Sequence, residues 1–154
     1  MNQDSDAQVS VRVQVSAGGF VKRTGDGEID FVAPLPCPFN YGELPGTLGG
    51  DGDPVDAVVL GPRIPRGELV AVRVQGAVAF VDAGAPDLKL VCSALPLSAL
   101  QRAMVLNWFR GYGLAKRALN LARGKRGETR CTGWVSTEAA VAAVTSSQSK
   151  RDAT

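Results

Sequence analysis

The sequence predicts an α+β chain that is mainly β, a small barrel with helices set outside it in the C-terminal half. Three observations carry that expectation. Eighteen glycines and nine prolines in 154 residues supply turns for many short strands. Val9 to Val15 alternates strictly between apolar and polar, Val-Ser-Val-Arg-Val-Gln-Val, which is the period of a half-buried strand. After Leu97 the apolar spacing lengthens to that of a helix.

Taken in order, the 9–15 strand is followed by Gly25-Asp26-Gly27, a hairpin signal with Phe20–Lys22 before it and Ile29–Val32 after it. Pro34 to Pro38 is a proline-broken connection. Ala57–Leu60 reads as a buried strand and Leu69–Phe80 as a long, valine-rich one. Asp82-Ala83-Gly84-Ala85-Pro86 is a turn that leads to a short strand over Leu88–Cys92. Leu97, Leu100, Met104 and Trp108 then recur at helical spacing, with Ser98 placed to cap. Gly111 and Gly113 are expected to loosen or end that helix, with Leu114–Ala122 as a continuation. Gly124-Lys125-Arg126-Gly127 is a turn, Thr129–Trp134 a last strand, and Ser136 with Glu138 opens a final helix. The whole reads as one domain, 1–154, with tails at 1–8 and 147–154.

Composition excludes several classes of function. No apolar stretch approaches the ~20 residues that span a bilayer, and the polar, acidic start at Met1–Gln8 does not read as a secretory signal. Cys37, Cys92 and Cys131 are odd in number and scattered, so they are read as buried thiols in a reducing cytoplasm. Charge is lopsided: residues 1–100 carry 7 basic and 12 acidic side chains, and residues 101–154 carry 10 and 3. A basic half can meet phosphate or nucleic acid, although a solvated helix face is the more frequent cause of such bias. The chain contains no histidine, which removes the commonest zinc ligand and the commonest general base. Any catalysis falls to carboxylates, Lys, Arg, Tyr and metal.

The chemistry concentrates in Asp51-Gly52-Asp53-Pro54-Val55-Asp56. Three carboxylates within six residues repel one another unless a cation neutralises them, and hard oxygen donors suit Mg2+, Mn2+ or Ca2+ rather than zinc. An EF-hand loop would need Gly at its sixth position and Glu at its twelfth. Counting from Asp51 those are Asp56 and Pro62, so it is not one. Alone, the segment reads equally well as an acidic turn. Asp82, Asp87 and Lys89 supply a second cluster on one turn. If both clusters share a rim, five carboxylates converge, as in multi-metal sites that handle phosphoryl transfer.

These residues resemble the family I soluble inorganic pyrophosphatases. The resemblance runs through Pro38-Phe39-Asn40-Tyr41-Gly42, Leu48-Gly49-Gly50-Asp51-Gly52-Asp53-Pro54-Val55-Asp56, Asp82-x4-Asp87-x-Lys89, Trp108-Phe109-Arg110-Gly111-Tyr112 and Gly133-Trp134. It implies a closed five-stranded OB-like barrel flanked by helices, assembled as a homo-oligomer (a hexamer in bacteria), in the cytoplasm. It also implies Mg2+-dependent hydrolysis of diphosphate to two phosphates, with several Mg2+ per subunit and Mn2+ as an alternative. By the same resemblance Asp51, Asp56 and Asp87 hold the first metal, and Asp56 also serves the second. Asp82 takes metal arriving with substrate, Asp53 is the base for the nucleophilic water, and Lys22, Tyr41, Lys89 and Tyr112 contact phosphate.

The chain departs from the family pattern on the substrate side. Val13 and Thr24 stand where the family has glutamates, Cys37 replaces a tyrosine, Gly113 replaces a lysine, and no arginine lies between Arg23 and Arg63. Nearby Arg23, Asp26, Glu28, Arg110, Lys116 or Arg117 are candidates to substitute. Three readings follow: a diphosphatase with a rebuilt phosphate clamp, a hydrolase of another phosphoanhydride such as a nucleotide or polyphosphate, or a non-catalytic OB-like binder of phosphate or nucleic acid. The acidic rim and scarce aromatics speak against nucleic acid.

Overall fold

The computed structural model describes residues 7–19, 21–23, 29–32, 37–50 and 52–153. Among the described residues nine strands form: β1 (Gln8–Val15), β2 (Val21–Arg23), β3 (Ile29–Val32), β4 (Asn40–Glu43), β5 (Asp56–Val59), β6 (Leu69–Asp82), β7 (Ala85–Pro86), β8 (Lys89–Ser93) and β9 (Arg130–Val135). Two long helices follow, α1 (Ala99–Ala122) and α2 (Thr137–Asp152). β2 and β3 pair as a separate antiparallel ribbon; the turn expected between them, and most of the proline-broken connection, lie outside the described residues.

The remaining pairings close on themselves. β1 pairs β4, β4 pairs β5, β5 pairs β8, β8 pairs β6, and β6 returns to β1. This ring of five strands matches the OB-like barrel expected from the sequence. All contacts in it are antiparallel except β5–β8, which run parallel. β6 spans the ring by changing partners: its first part pairs β1, its middle β8 and its end β9. The pairing with β8 carries a register shift between Val74 and Gly76. Gly76 sits at φ 153 with the Trp134 indole so close that a Cβ would lie 2.4 Å from the ring, so only glycine fits where β6 bends under that side chain. Trp134 is therefore a packing anchor.

Side chains alternate across the parallel pair, and both faces are covered. Ala57, Val59, Leu90 and Cys92 join one core with Val11, Val72, Val74 and Ala77, closed by Ala140 and Val144 of α2. Val58 and Val91 join the other with Val78 and Phe80, closed by Val105, Phe109 and Tyr112 of α1. Burying a side chain such as Phe109 contributes on the order of 1.5–3 kcal/mol, so α1 is held chiefly by this face.

Both predicted helix starts are present. The Ser98 hydroxyl accepts from the Gln101 backbone N–H, and the Gln101 side chain accepts from the Ser98 N–H, a complete capping box. Ser136 accepts from the Ala139 N–H, and Glu138 and then Lys150 and Arg151 complement the two ends of the α2 dipole. Residues 147–152, read from sequence as a tail, lie within α2.

One expectation is corrected. α1 does not end at Gly111 or Gly113 but runs unbroken for 24 residues. Each interior glycine costs about 1 kcal/mol relative to alanine, and tertiary packing offsets that cost. Gly113 lies where a Cβ would be 3.2 Å from the Cys131 nitrogen and 3.3 Å from the Phe80 ring, so its lack of a side chain lets α1 press onto β9. The apolar residues that mark the helix in the sequence are not all on its buried face. Val105, Phe109 and Tyr112 are buried, whereas Leu100 and Met104 are 71% and 54% exposed.

Candidate active site

The site is assembled by strand register. Asp56 begins β5, Lys89 begins β8, and the two are Cα partners in the parallel pair. Their side chains consequently point the same way from adjacent strand ends. Lys89 Nζ lies 2.6 Å from Asp56 Oδ2 and 2.7 Å from Asp87 Oδ2. It also donates to the Tyr41 hydroxyl at 2.9 Å, and that hydroxyl in turn donates to Asp56 Oδ2 at 2.9 Å. Tyr41 reaches the group from β4, two residues from Glu43, which pairs with Asp56. An ammonium has three protons, and here each has an oxygen to meet.

Burial decides the energetics. Lys89 is 3% exposed. Removal from water opposes its charge, but Tyr41, Asp56 and Asp87 together outweigh that and hold its pKa well above the usual lysine range. The Tyr41 hydroxyl is pushed well above its ordinary range, by burial first and then by the Asp56 carboxylate. Lys89 is thus held charged between two carboxylates, and Tyr41 is held protonated as a donor to Asp56.

The second acidic turn is braced from the C-terminal half. Asp82 closes β6, and its Oδ1 accepts from the Asn120 side-chain amide at 2.9 Å, while Lys116 Nζ lies 3.3 Å from Oδ2. Burial raises the Asp82 pKa, but the Asn120 amide and the Lys116 ammonium prevail and lower it overall. Asn120 also donates to Thr129 Oγ1, which accepts from the Ala83 N–H. Ala83 is held at φ 50, a left-handed conformation uncommon for alanine. Gly84 N–H donates to the Glu128 carbonyl, and a Cβ on Gly127 would lie 2.7 Å from the Ala83 carbonyl carbon. The 124–128 turn therefore sits directly on the Asp82 turn and fixes it.

The two acidic turns share a rim. A Cβ on Gly50 would meet the Pro86 carbonyl at 3.0 Å, so the 49–53 loop lies against the loop that leads to Asp87. That loop is itself tight: Gly49 N–H bonds the Asp53 carbonyl at 2.7 Å, and Gly52 adopts φ 86. Asp53 is exposed on it. Tyr112 is 8% exposed, stacked on Trp108 at 5.1 Å, and burial pushes its hydroxyl up to about 12. Lys116 Nζ lies 5.8 Å from the Tyr112 ring centre.

Of the residues singled out from sequence, Tyr41, Asp56, Asp87 and Lys89 meet in one hydrogen-bonded group. Asp82 stands beside them with Lys116 and Asn120, Tyr112 packs under the same rim, and Asp53 is at its edge. Lys22 lies on β2 opposite Phe31; its side chain and all of Asp51 lie outside the described residues, as do Thr24, Asp26 and Glu28. Val13 and Cys37 are 1% and 5% exposed core positions. Arg110 is exposed and turned to Asn107 on its own helix. Asn120 and Thr129 escaped sequence reading. Nothing local marks them, since 38 residues separate Asn120 from Asp82.

A family model for inorganic pyrophosphatase matches residues 20–151. The chain belongs to the inorganic pyrophosphatase family. It is 32% identical over 98 residues to an inorganic pyrophosphatase of Gluconobacter oxydans, covering 58% of this chain and 57% of that one. It is 44% identical over 64 residues to one from Helicobacter pylori, covering 41% and 36%. These matches span about half or less of the curated relatives. The solved inorganic pyrophosphatase of Thermus thermophilus superposes with a TM-score of 0.79 at 26% identity, over 97% of this chain and 94% of that one. The inorganic pyrophosphatase family is generally metal-dependent, and the carboxylate oxygens of this rim are the donors that hard divalent cations prefer. Among the described residues no helix is long and apolar enough to cross a membrane.

Proposed function

We propose that this chain hydrolyses inorganic diphosphate to two phosphates with Mg2+, Mn2+ being an alternative. The observation that carries the reading is the buried Lys89 ammonium held between Asp56 and Asp87 with the Tyr41 hydroxyl completing the group. Asp56, Asp87 and Asp51 are the residues that would hold the first metal, and Asp82 a further one. Among the described residues no three acidic or cysteine side chains form a cage by themselves, and Asp51 is the third member of the proposed set. The donor chemistry fits: every member is a hard carboxylate oxygen.

Bound Mg2+ supplies Lewis-acid activation of water and neutralises charge on the diphosphate. The chain's residues do the rest. Asp53, exposed beside Gly52, accepts the proton of the attacking water. Lys89 and Tyr41 keep Asp56 and Asp87 in place, and an N–H or O–H given to a phosphoryl oxygen replaces one they give to a carboxylate or to each other. Tyr112, and Lys22 from β2, bind the outer phosphate. Fixed cations and donors aimed at the transferring group stabilise the charge that gathers on the leaving phosphate.

A homo-oligomer, a hexamer by family resemblance, accounts for the second apolar face of α1. Leu100, Met104, Leu114 and Leu121 are each more than half exposed along that helix, a stripe that a further copy of the chain would bury.

The test is phosphate release from diphosphate, ATP and tripolyphosphate, with and without Mg2+. Mg2+-dependent release from diphosphate is the expected result. Folded protein that releases none from any of the three overturns the reading, and release from ATP or tripolyphosphate alone moves the substrate to another phosphoanhydride.

A further inference from the structure

We propose that Asn120 is a metal-positioning residue: by holding one oxygen of Asp82 it leaves the other to bind a cation singly, which favours Mg2+ over Ca2+. The inference rests on the proposed diphosphate site and adds to it a specificity-determining residue that the acidic motifs do not contain.

The two oxygens of Asp82 have different neighbours. Oδ1 accepts from the Asn120 side-chain amide at 2.9 Å, and Oδ2 faces the Lys116 ammonium at 3.3 Å. Asn120 is 3% exposed and lies one turn beyond Lys116 on α1. Its amide nitrogen has two protons to give. One goes to Asp82 and the other to Thr129 Oγ1, also at 2.9 Å. The buried Thr129 oxygen in turn accepts from the Ala83 N–H at 3.0 Å. The hydrogen bonds thus run from the Asp82 side chain through Asn120 and Thr129 back to the backbone beside Asp82. A carboxylate in such a closed circuit is held in one orientation.

The circuit is kept against local preferences. Asn120 Oδ1 is buried without a hydrogen-bond partner, and a buried acceptor left unpaired destabilises the fold. Turning the amide over would not relieve this, because its oxygen would then face the Asp82 carboxylate. Ala83 adds a left-handed backbone at φ 50. Two unfavourable features around one carboxylate point to a requirement on that carboxylate rather than on the core.

Cation chemistry says what the requirement is. Ca2+ gathers roughly 6–8 oxygens and readily takes both oxygens of a carboxylate. Mg2+ demands near-octahedral geometry and keeps several waters, so single carboxylate oxygens suit it. A cation that used both Asp82 oxygens would have to lie between them, and Oδ1 is committed to a buried amide. The circuit therefore presents Asp82 as a one-oxygen ligand.

The test uses the intact protein and the non-hydrolysable analogue methylenediphosphonate, titrated by calorimetry in saturating Mg2+ and again in saturating Ca2+. Asn120→Leu removes the amide at similar volume, and Thr129→Val removes the oxygen that anchors it. Both variants should shift the ratio of the two dissociation constants about tenfold towards Ca2+. Thr129→Ser, which keeps the oxygen, should keep the wild-type ratio. In turnover with Mg2+, Ca2+ should inhibit Asn120→Leu and Thr129→Val at about tenfold lower concentration than the wild type. Where Asn120→Leu does not fold, Thr129→Val carries the test. An unchanged ratio overturns the inference, as does an equal loss of affinity with both cations, which a purely structural asparagine would give. Wild-type protein that binds the analogue yet releases no phosphate overturns the hydrolase reading alone. An active wild type whose variants keep its ratio overturns this inference alone. A wild type that binds the analogue with neither cation overturns both.

Discussion

Asp56 and Lys89 are Cα partners at the mouth of the one parallel strand pair in the ring, and their charges meet at 2.6 Å. The pair is buried, so its parts are worth far more together than apart. Removing one member of a buried ion pair typically costs 3–5 kcal/mol because the other is left uncompensated. Lys89→Met should lose about that much stability in urea denaturation, with Asp56 and Asp87 left facing each other. Added Mg2+ should restore more stability to this variant than to the wild type.

Asp53 is exposed on the loop that lies against Pro86. Asp53→Asn keeps the size and removes the basic oxygen. Diphosphate hydrolysis should fall by about 100-fold or more, with Mn2+ affinity within about twofold of the wild type by calorimetry. Equal activity in the variant would refute the role of base.

Gly127 has φ 99 and touches the Ala83 backbone. Gly127→Ala should displace the Asp82 turn. The expected outcome is a 10- to 100-fold loss of activity, from misplacement alone, with Tm lower by only a few degrees.

Alkaline stability follows from three buried groups. Burial raises the Cys37 thiol from 9.0 to about 11, Cys92 to about 12, and the Tyr112 hydroxyl from 10.0 to about 12. Each folded-state pKa lies above its unfolded value, so the unfolded chain loses these protons first as pH rises. Stability is therefore full below pH 9 and falls progressively from pH 9 towards 11–12. Melting curves across that range should show the decline. At pH 8, Cys131, which is partly exposed, should be alkylated before Cys37 and Cys92.

The outer stripe of α1 predicts self-association. Leu114 is 70% exposed, and Leu114→Lys should lower the mass measured by light scattering while leaving the helical signal unchanged.

Local chemistry was enough to reveal the strands at 9–15 and 57–60, the caps at Ser98 and Ser136, and the acidic motif with its Asp82–Asp87–Lys89 partner. Those features depend on neighbours within a few residues, where pattern and turn propensity act directly. The continuation of α1 through Gly111 and Gly113 was not legible. Helix propensity opposes it, and only contact with β9 and Phe80 reverses the balance. The buried side of α1 was not legible either: the helix has two apolar faces, and periodicity does not say which one meets the core.

By itself, then, the sequence determined a ring-like β fold with late helices and a carboxylate chemistry suited to divalent cations. Tertiary structure alone decided how that chemistry is balanced. The parallel register of β5 and β8 sets Lys89 between Asp56 and Asp87, and the packing of α1 and the 124–128 turn brings Lys116, Asn120 and Thr129 to Asp82. Those partners are separated by tens of residues, and no local pattern encodes a contact that exists only once the ring has closed.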